Sequence, residues 1–329
     1  MSQLLDVTGI GNAIVDVIAH ATDADIARLA LAKGSMTLID EAQASALYAG
    51  MAPAREISGG SVANSIAGVA ALGGTAGYIG KTRNDQLGEV FAHDIRAAGV
   101  SFGTAASTSG AATARCLILV TPDGQRTMST YLGACVGLGP EDIDEALLAR
   151  SKVTYIEGYL WDPPRAKEAI LRAAQLAHQH GRKVALSLSD AFCVNRHRTE
   201  FSRLLDDHVD ILFANESEAL ALTQTSDYDA ALKALRGRAE ISVVTRGAAG
   251  ASVIGRDELV HVPAEPIEKL VDTTGAGDLF AAGFLFGHTH GRSLADSARI
   301  GALCAAEIIS HYGARPEQSL SALLASRGL

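Results

Sequence analysis

Cysteine is scarce in this chain, and no two cysteines are spaced to cooperate. Cys116, Cys135, Cys193 and Cys304 form no CxxC pair. That argues against a disulfide framework or a dithiol motif and predicts four reduced, mostly buried thiols of a cytosolic protein. Basic residues are in deficit: 28 Lys and Arg against 37 Asp and Glu, a net charge of −9. A phosphate backbone calls for a basic surface, so nucleic acid is not an expected partner. No apolar run is long and clean enough to span a bilayer. The opening MSQLLDVTGIGNAIVDVIAH has no basic n-region and is interrupted by Asp6 and Asp16, so it reads as buried strands rather than a signal peptide. The expectation is a soluble, cytoplasmic protein with no membrane partner. Fixed-period repeats, low-complexity tracts and long linkers are also absent, and no GxGxxG joins a first strand to a first helix. That last gap weakens a dinucleotide-dependent oxidoreductase.

Apolar residues, by contrast, make up 48% of the 329 positions, enough for a large core. Glycine occurs 33 times, above the usual share of about 7%, which suits many tight turns between strands and helices. β-rich runs alternate with helical periodicity. LLDVTGIG and AIVDVIA open as strands, SVANSIAGVAALG is helical, and TAGYIG is again a strand. VTYIEG, KVALSLS, VDILFA and ISVVTRG follow as strands, with helical stretches such as PRAKEAILRAAQLAHQHG between them. This order predicts a largely parallel sheet with helices on both faces and ligands at the carboxyl ends of its strands. Two stretches break the rhythm: residues 16–59, and a hairpin around 113–132 with its turn at Pro122-Asp123-Gly124. They are expected to form a small separate layer, a lid within about 12–58 and 108–134, with no domain boundary elsewhere.

The most informative stretch is VDTTGAGDLFAAGFLFG at 271–287. The run EKLV reads as a strand end, followed by a glycine turn and an apolar helix. The first amides of a helix lack internal partners and carry partial positive charge. Gly275 and Gly277, with small Ala276 between them, let an anion approach the backbone. Asp278 sits awkwardly beside such a site. It either caps the helix or acts as a general base that takes a hydroxyl proton while the amides hold the developing charge; local chemistry also leaves open that GAG is an ordinary tight turn.

DTTGAGDLFAAGFL closely resembles the second signature of the ribokinase-like (PfkB) carbohydrate kinase family. The resemblance implies a three-layer α/β/α sandwich with a mainly parallel central sheet and a small β-rich lid. It also implies Asp278 as the catalytic base and the amides of Gly275, Ala276 and Gly277 as an anion hole. GGSVANSIAGVAALGG at 59–74 resembles the first signature, so Gly59, Gly60 and Asn64 would contact substrate hydroxyls; Val62 departs from the small residue or proline usual there. NESE at 215–218 matches the NxxE motif, in which Asn215 and Glu218 would act on Mg²⁺ through water beside ATP. VVTRGAAGA at 243–251 would bring Thr245 and Gly247 near the nucleotide. Asp16, in GNAIVDV, would hold sugar hydroxyls. Asp272 and Thr274 match a loop that binds a monovalent cation, K⁺, in many members, and Thr274 would also lie near ATP. Taken singly, each of these motifs has a structural alternative: Asn215 and Glu218 form a helix cap, Asp16 ends a strand, and the GGS stretch is a packed small-residue helix.

The acceptor is read from looser likenesses to the adenosine kinase branch of the family. GIGNAIVDVIA, the GGSxxNS pattern and the segment TARCLILVTPDGQRTMSTYLGACVGL carry them. By this match Arg126 would reach the transferred phosphate. YIEGYLWDPP resembles a segment bearing an aromatic that stacks on adenine, with Tyr159 the first candidate and Trp161 the second; a core role for Tyr159 stays open. The expected reaction is ATP-dependent phosphorylation of a primary hydroxyl, adenosine to AMP, with a free sugar such as ribose or fructose as the alternative. A catalytically silent binder on the same fold is a further alternative, against which the retained Asp278 argues. The resemblance is compatible with a monomer or a homodimer. His288 and His290 form an HxH pair with no third ligand nearby and read as structural or solvent-facing.

Overall fold

The computed structural model describes residues 4–329. The chain starts with β1 (Leu5–Ile10), β2 (Ile14–His20), α1 (Asp23–Arg28), β3 (Met36–Leu38), α2 (Glu41–Gly50) and β4 (Arg55–Gly59). It continues with α3 (Ser61–Ala71), β5 (Ala76–Ile79), α4 (Gln86–Ala97), β6 (Val100–Phe102), β7 (Ala114–Val120) and β8 (Arg126–Tyr131). Next come α5 (Glu145–Ala149), β9 (Ser151–Glu157), α6 (Pro164–Gln179), β10 (Lys183–Ser187), α7 (Ala191–His208) and β11 (Ile211–Asn215). The last third holds α8 (Glu216–Thr223), α9 (Tyr228–Leu235), β12 (Ile241–Thr245), β13 (Ala251–Ile254), β14 (Leu259–Val262), α10 (Ala276–Thr289), α11 (Leu294–Ile308) and α12 (Leu320–Ser326).

Nine strands form one sheet in the order β14-β13-β12-β11-β10-β9-β1-β5-β6. All its pairings are parallel except β12–β13 and β13–β14. The sheet is buried on both faces, as a parallel sheet requires. One face packs Val153, Tyr155 and Phe213 against α3, α10 and α11. The other packs Ile156, Leu186 and Leu212 against α5 to α9. The result is the three-layer α/β/α sandwich. The four cysteines are buried and unpaired, Cys116 on the second sheet described below. Trp161 is also core: it packs on Phe201 and donates to Glu200 Oε2 at 2.6 Å. No helix among the described residues is long and apolar enough to cross a membrane.

A second, five-stranded sheet has the order β3-β8-β7-β2-β4. Its strands come from the two stretches that interrupt the alternation. Side chains alternate across it, so register sorts them by face. Val15, Val17 and Leu117 join Ala44 and Leu47 of α2 in the main core, and Leu119 packs with Ile26 of α1. Asp16 points the other way. Its neighbours on that opposite face follow from pairing: Cys116 and Ile57 across from Asp16, then Ile18 beside Ile118, Ile118 beside Met128, and Val120 beside Arg126.

One expected element is absent. Residues 268–271 form no strand before the glycine turn. Leu270 is 56% exposed and belongs to a cavity wall instead. The segment is held by its ends, with the amides of Val271 and Asp272 both donating to the Ile309 carbonyl.

Candidate active site

The site forms where two helix N-termini meet. α3 begins after Gly60, whose φ of +98° and closeness to the Asn12 carbonyl leave no room for a side chain. Glycine cannot cap a helix with a side chain, and Glu157, at the carboxyl end of β9, takes over. Its Oε2 accepts from the amides of Val62 (3.2 Å) and Asn12 (3.3 Å), and its Oε1 accepts from Asn12 Nδ2 (2.8 Å). Glu157 is 1% exposed, and burial pushes its carboxyl up to about 7. α10 begins after Gly275, left-handed at φ +78°. The two helices approach closely because Gly68 of α3 faces Leu279 and Ala282 of α10; a Cβ there would come within 2.7 Å of Ala282 Cβ.

This packing carries Asp278 to the first turn of α3. Its Oδ1 accepts from Ser61 Oγ at 2.6 Å, and its Oδ2 accepts from Asn64 Nδ2 at 3.0 Å. Desolvation raises its pKa, opposed by those two donors and by the charge of Arg315. The Oδ1 of Asn64 is buried and has no donor among the described residues. Asp16 approaches from the second sheet and lies so close to Gly59 that a Cβ there would overlap its carboxylate. Burial lifts Asp16 to about 6, against the pull of Arg315 and Arg126.

Arg126 and Asp272 are nearly buried, and Arg126 Nη2 lies 2.5 Å from Asp272 Oδ2 in an ion pair whose angle does not make a hydrogen bond. The Asp272 carboxylate also accepts from the amides of Thr274 (3.0 Å) and Gly313 (3.2 Å). Thr274 thus braces the loop, whereas Thr273 lines the adjoining cavity.

Two cavities adjoin here and share Thr245, Gly277 and Phe280. The smaller, about 220 Å³, is lined by Ser61, Asn215, Glu218 and Asp278. The larger, about 510 Å³, runs past Gly247, Ile267 and Leu270 to Ala302 and Ile309 and is mainly apolar. Ala276 lines the larger cavity, and a Cβ on Gly277 would meet nothing within 4 Å. The helix start is therefore open to an anion at the junction.

Asn215 and Glu218 make a complete capping box for α8. Asn215 Oδ1 accepts from the Glu218 amide at 2.9 Å, and the Glu218 carboxylate accepts from the Asn215 amide at 2.9 Å and from its Nδ2 at 2.6 Å. Burial raises Glu218 to about 7. The cap and the cavity wall are the same residues. Tyr159 donates from its hydroxyl to the carbonyl of Ser189, a residue of the smaller cavity's wall, at 3.3 Å and is not itself among the residues lining either cavity. His288 stacks on Phe284 and His290 pairs with the Phe286 carbonyl.

Ser61, Glu157 and Arg315 were missed from sequence. Ser61 lies inside a quoted motif, and Glu157 is a carboxylate at a strand's carboxyl end, a position that could have flagged it. Arg315, in the segment after α11, has no local signal.

The sequence pattern of pfkB family carbohydrate kinases matches residues 52–320. The chain belongs to that family. This pfkB kinase is a phosphotransferase with an alcohol group as acceptor, and the family uses ATP, generally with Mg²⁺. A probable sugar kinase from Rhizobium etli CFN 42 is 50% identical, with TM-score 0.92 over 100% of this chain and 99% of its own. An adenosine kinase from Sinorhizobium meliloti is 53% identical, with TM-score 0.90 over 98% and 99%. The adenosine kinase of Saccharomyces cerevisiae is 29% identical across 95% of this chain and 97% of its own length.

Proposed function

We propose that this kinase phosphorylates the primary hydroxyl of a nucleoside, with adenosine converted to AMP. The observation that carries this reading is the inner face of the second sheet. Asp16 and Arg126 share that face with Ile14, Ile18, Cys116, Ile118, Val120 and Met128, an apolar cluster of its own. A free sugar needs mainly polar contacts, whereas a base needs a flat apolar wall beside the polar groups that hold its ribose. In this reading the apolar sheet replaces Tyr159 as the wall for the base. The likeness to the S. meliloti adenosine kinase supports it.

In the proposed reaction Asp16 and Asn64 hold ribose hydroxyls, one of which donates to the unpaired Asn64 Oδ1. The 5′-oxygen attacks the γ-phosphorus of MgATP and gives its proton to Asp278. The new O–P bond forms as the bond to ADP breaks. First-turn amides of α10 take up the charge on the phosphoryl oxygens. Arg126 turns from Asp272 toward the same oxygens, and the second sheet acts as a lid that excludes water. The larger cavity takes the purine of ATP beside Thr245 and Gly247. Asn215 and Glu218 would be the residues toward Mg²⁺, and with their direct bonds spent on the cap they would act on it through water. Asp272 and the Thr274 loop would be the residues to hold K⁺, and the carboxylate would be open to it only once Arg126 has turned away. The outer face of the lid lies under α1 and α2, which favours a monomer over a dimer built through that sheet.

ADP release with MgATP against adenosine, inosine, cytidine, ribose, fructose and 2-keto-3-deoxygluconate tests this. Adenosine is expected to show the highest kcat/KM. A free sugar in first place would leave the kinase and remove the nucleoside.

A further inference from the structure

Arg315 is the residue this site holds without a motif to announce it. Its guanidinium donates from Nη1 to the Ala63 carbonyl at 3.1 Å and from Nη2 to Ser58, at 2.9 Å to the carbonyl and 2.8 Å to Oγ. Those bonds join the segment after α11 to the end of β4 and the first turn of α3, the turn that holds Asp278. Ser58 is itself fixed from behind, its amide and hydroxyl both donating to Asp94 Oδ2 of α4 (2.8 and 2.5 Å). Asp16, Asp94 and Asp278 all lie within electrostatic reach of this one guanidinium. Two residues upstream, the Gly313 amide holds Asp272, so the same segment bonds one end of the DTTGAGD turn directly and reaches the other through the first turn of α3 and by charge.

We propose that Arg315 is a positioning residue for phosphoryl transfer, the fixed positive charge that the Asp16 and Asp278 carboxylates share at the floor of the cleft. This rests on Asp278 being the base. Around Asp278 the other groups are Ser61 and Asn64 of α3, Asp16 of β2, and Tyr155 and Glu157 of β9. Arg126 of β8 also faces Asp16. The carboxylates repel one another, and Arg315 is the cation that acts on both. Without it the pair would hold a proton to higher pH, and a protonated base accepts nothing from the acceptor hydroxyl.

The test is the pH dependence of kcat/KM, whose acid limb is independent of how much enzyme is active. Arg315→Met and Arg315→Gln are expected to move that limb to higher pH by about one unit or more. Arg315→Lys, which keeps a cation, is expected to leave it near its wild-type position. A purely structural role would lower stability and yield while leaving the limb in place, and an unmoved limb in either neutral variant overturns the proposal. If neither neutral variant folds, Arg315→Lys decides: a limb in place supports charge, and a limb displaced by a full unit overturns it. Asp278→Asn separates the two readings. If it keeps wild-type turnover, the base assignment fails; if it is dead while Arg315→Met keeps its limb, only the Arg315 proposal fails.

Discussion

The two walls of the cleft are built on different rules. The floor, where α3 and α10 meet, is made of short contiguous segments in which nearly every residue has a local job. Gly60 clears the Asn12 carbonyl, Gly68 lets the helices touch, and Ser61 and Asn64 hold both oxygens of Asp278. The lid takes its cleft-facing residues one or two at a time from β2, β4, β7 and β8, strands that span residues 14–131. In the proposed reaction the base and the anion-binding amides belong to the floor, while the apolar wall that chooses the acceptor belongs to the lid, which also lends Arg126 to the phosphoryl oxygens. A cleft divided this way can change its acceptor at the apolar wall while Asp278 and its helix start stay as they are.

The largest expected effect breaks the floor. Asp278→Asn should lower kcat by about 10²–10⁴-fold, typical of a lost general base, and should do so alike for a nucleoside and for any sugar accepted slowly. Steady-state ADP release with each acceptor checks it, and loss confined to one acceptor would contradict the division of labour.

A smaller effect sharpens the picture of how the floor is held. Glu157 has a folded-state pKa of about 7, above the value of about 4.3 expected when unfolded. Between those values the folded protein binds more protons, so the contribution is fully present at low pH and lost as pH rises through about 7. Glu218 acts in the same direction and window. Glu157→Gln should therefore flatten part of the fall in Tm between about pH 4.5 and 7, by about 2 °C. Thermal melts across that range would show an unchanged slope if Glu157 were ionised throughout.

The same contrast explains what could be read beforehand. The parallel sheet, its helices and the floor were legible because a helix start that faces an anion needs particular small residues in a fixed order. The buried, unpaired cysteines were legible for the opposite reason, having no partners in sequence. The expected strand at 268–271 was not there, since an apolar run reads alike whether it enters a sheet or lines a cavity. The lid was legible as an interruption and, in β7 and β8, as a hairpin, but not in which way it faces. Alternation along β2 or β7 defines two faces but not which one looks toward Asp278; that depends on register with strands far away in sequence. Arg315 and Glu157 stayed hidden because long-range bonds give them their roles.

The most direct measurement is kcat/KM for adenosine and for ribose, in the wild type and in Ile18→Asn. Ile18 shares the cleft face with Asp16 and lies partly exposed. A polar group there should lower the adenosine value by about 10- to 100-fold while the ribose value stays within about twofold. If both values fall together, or neither moves, the lid does not choose the acceptor.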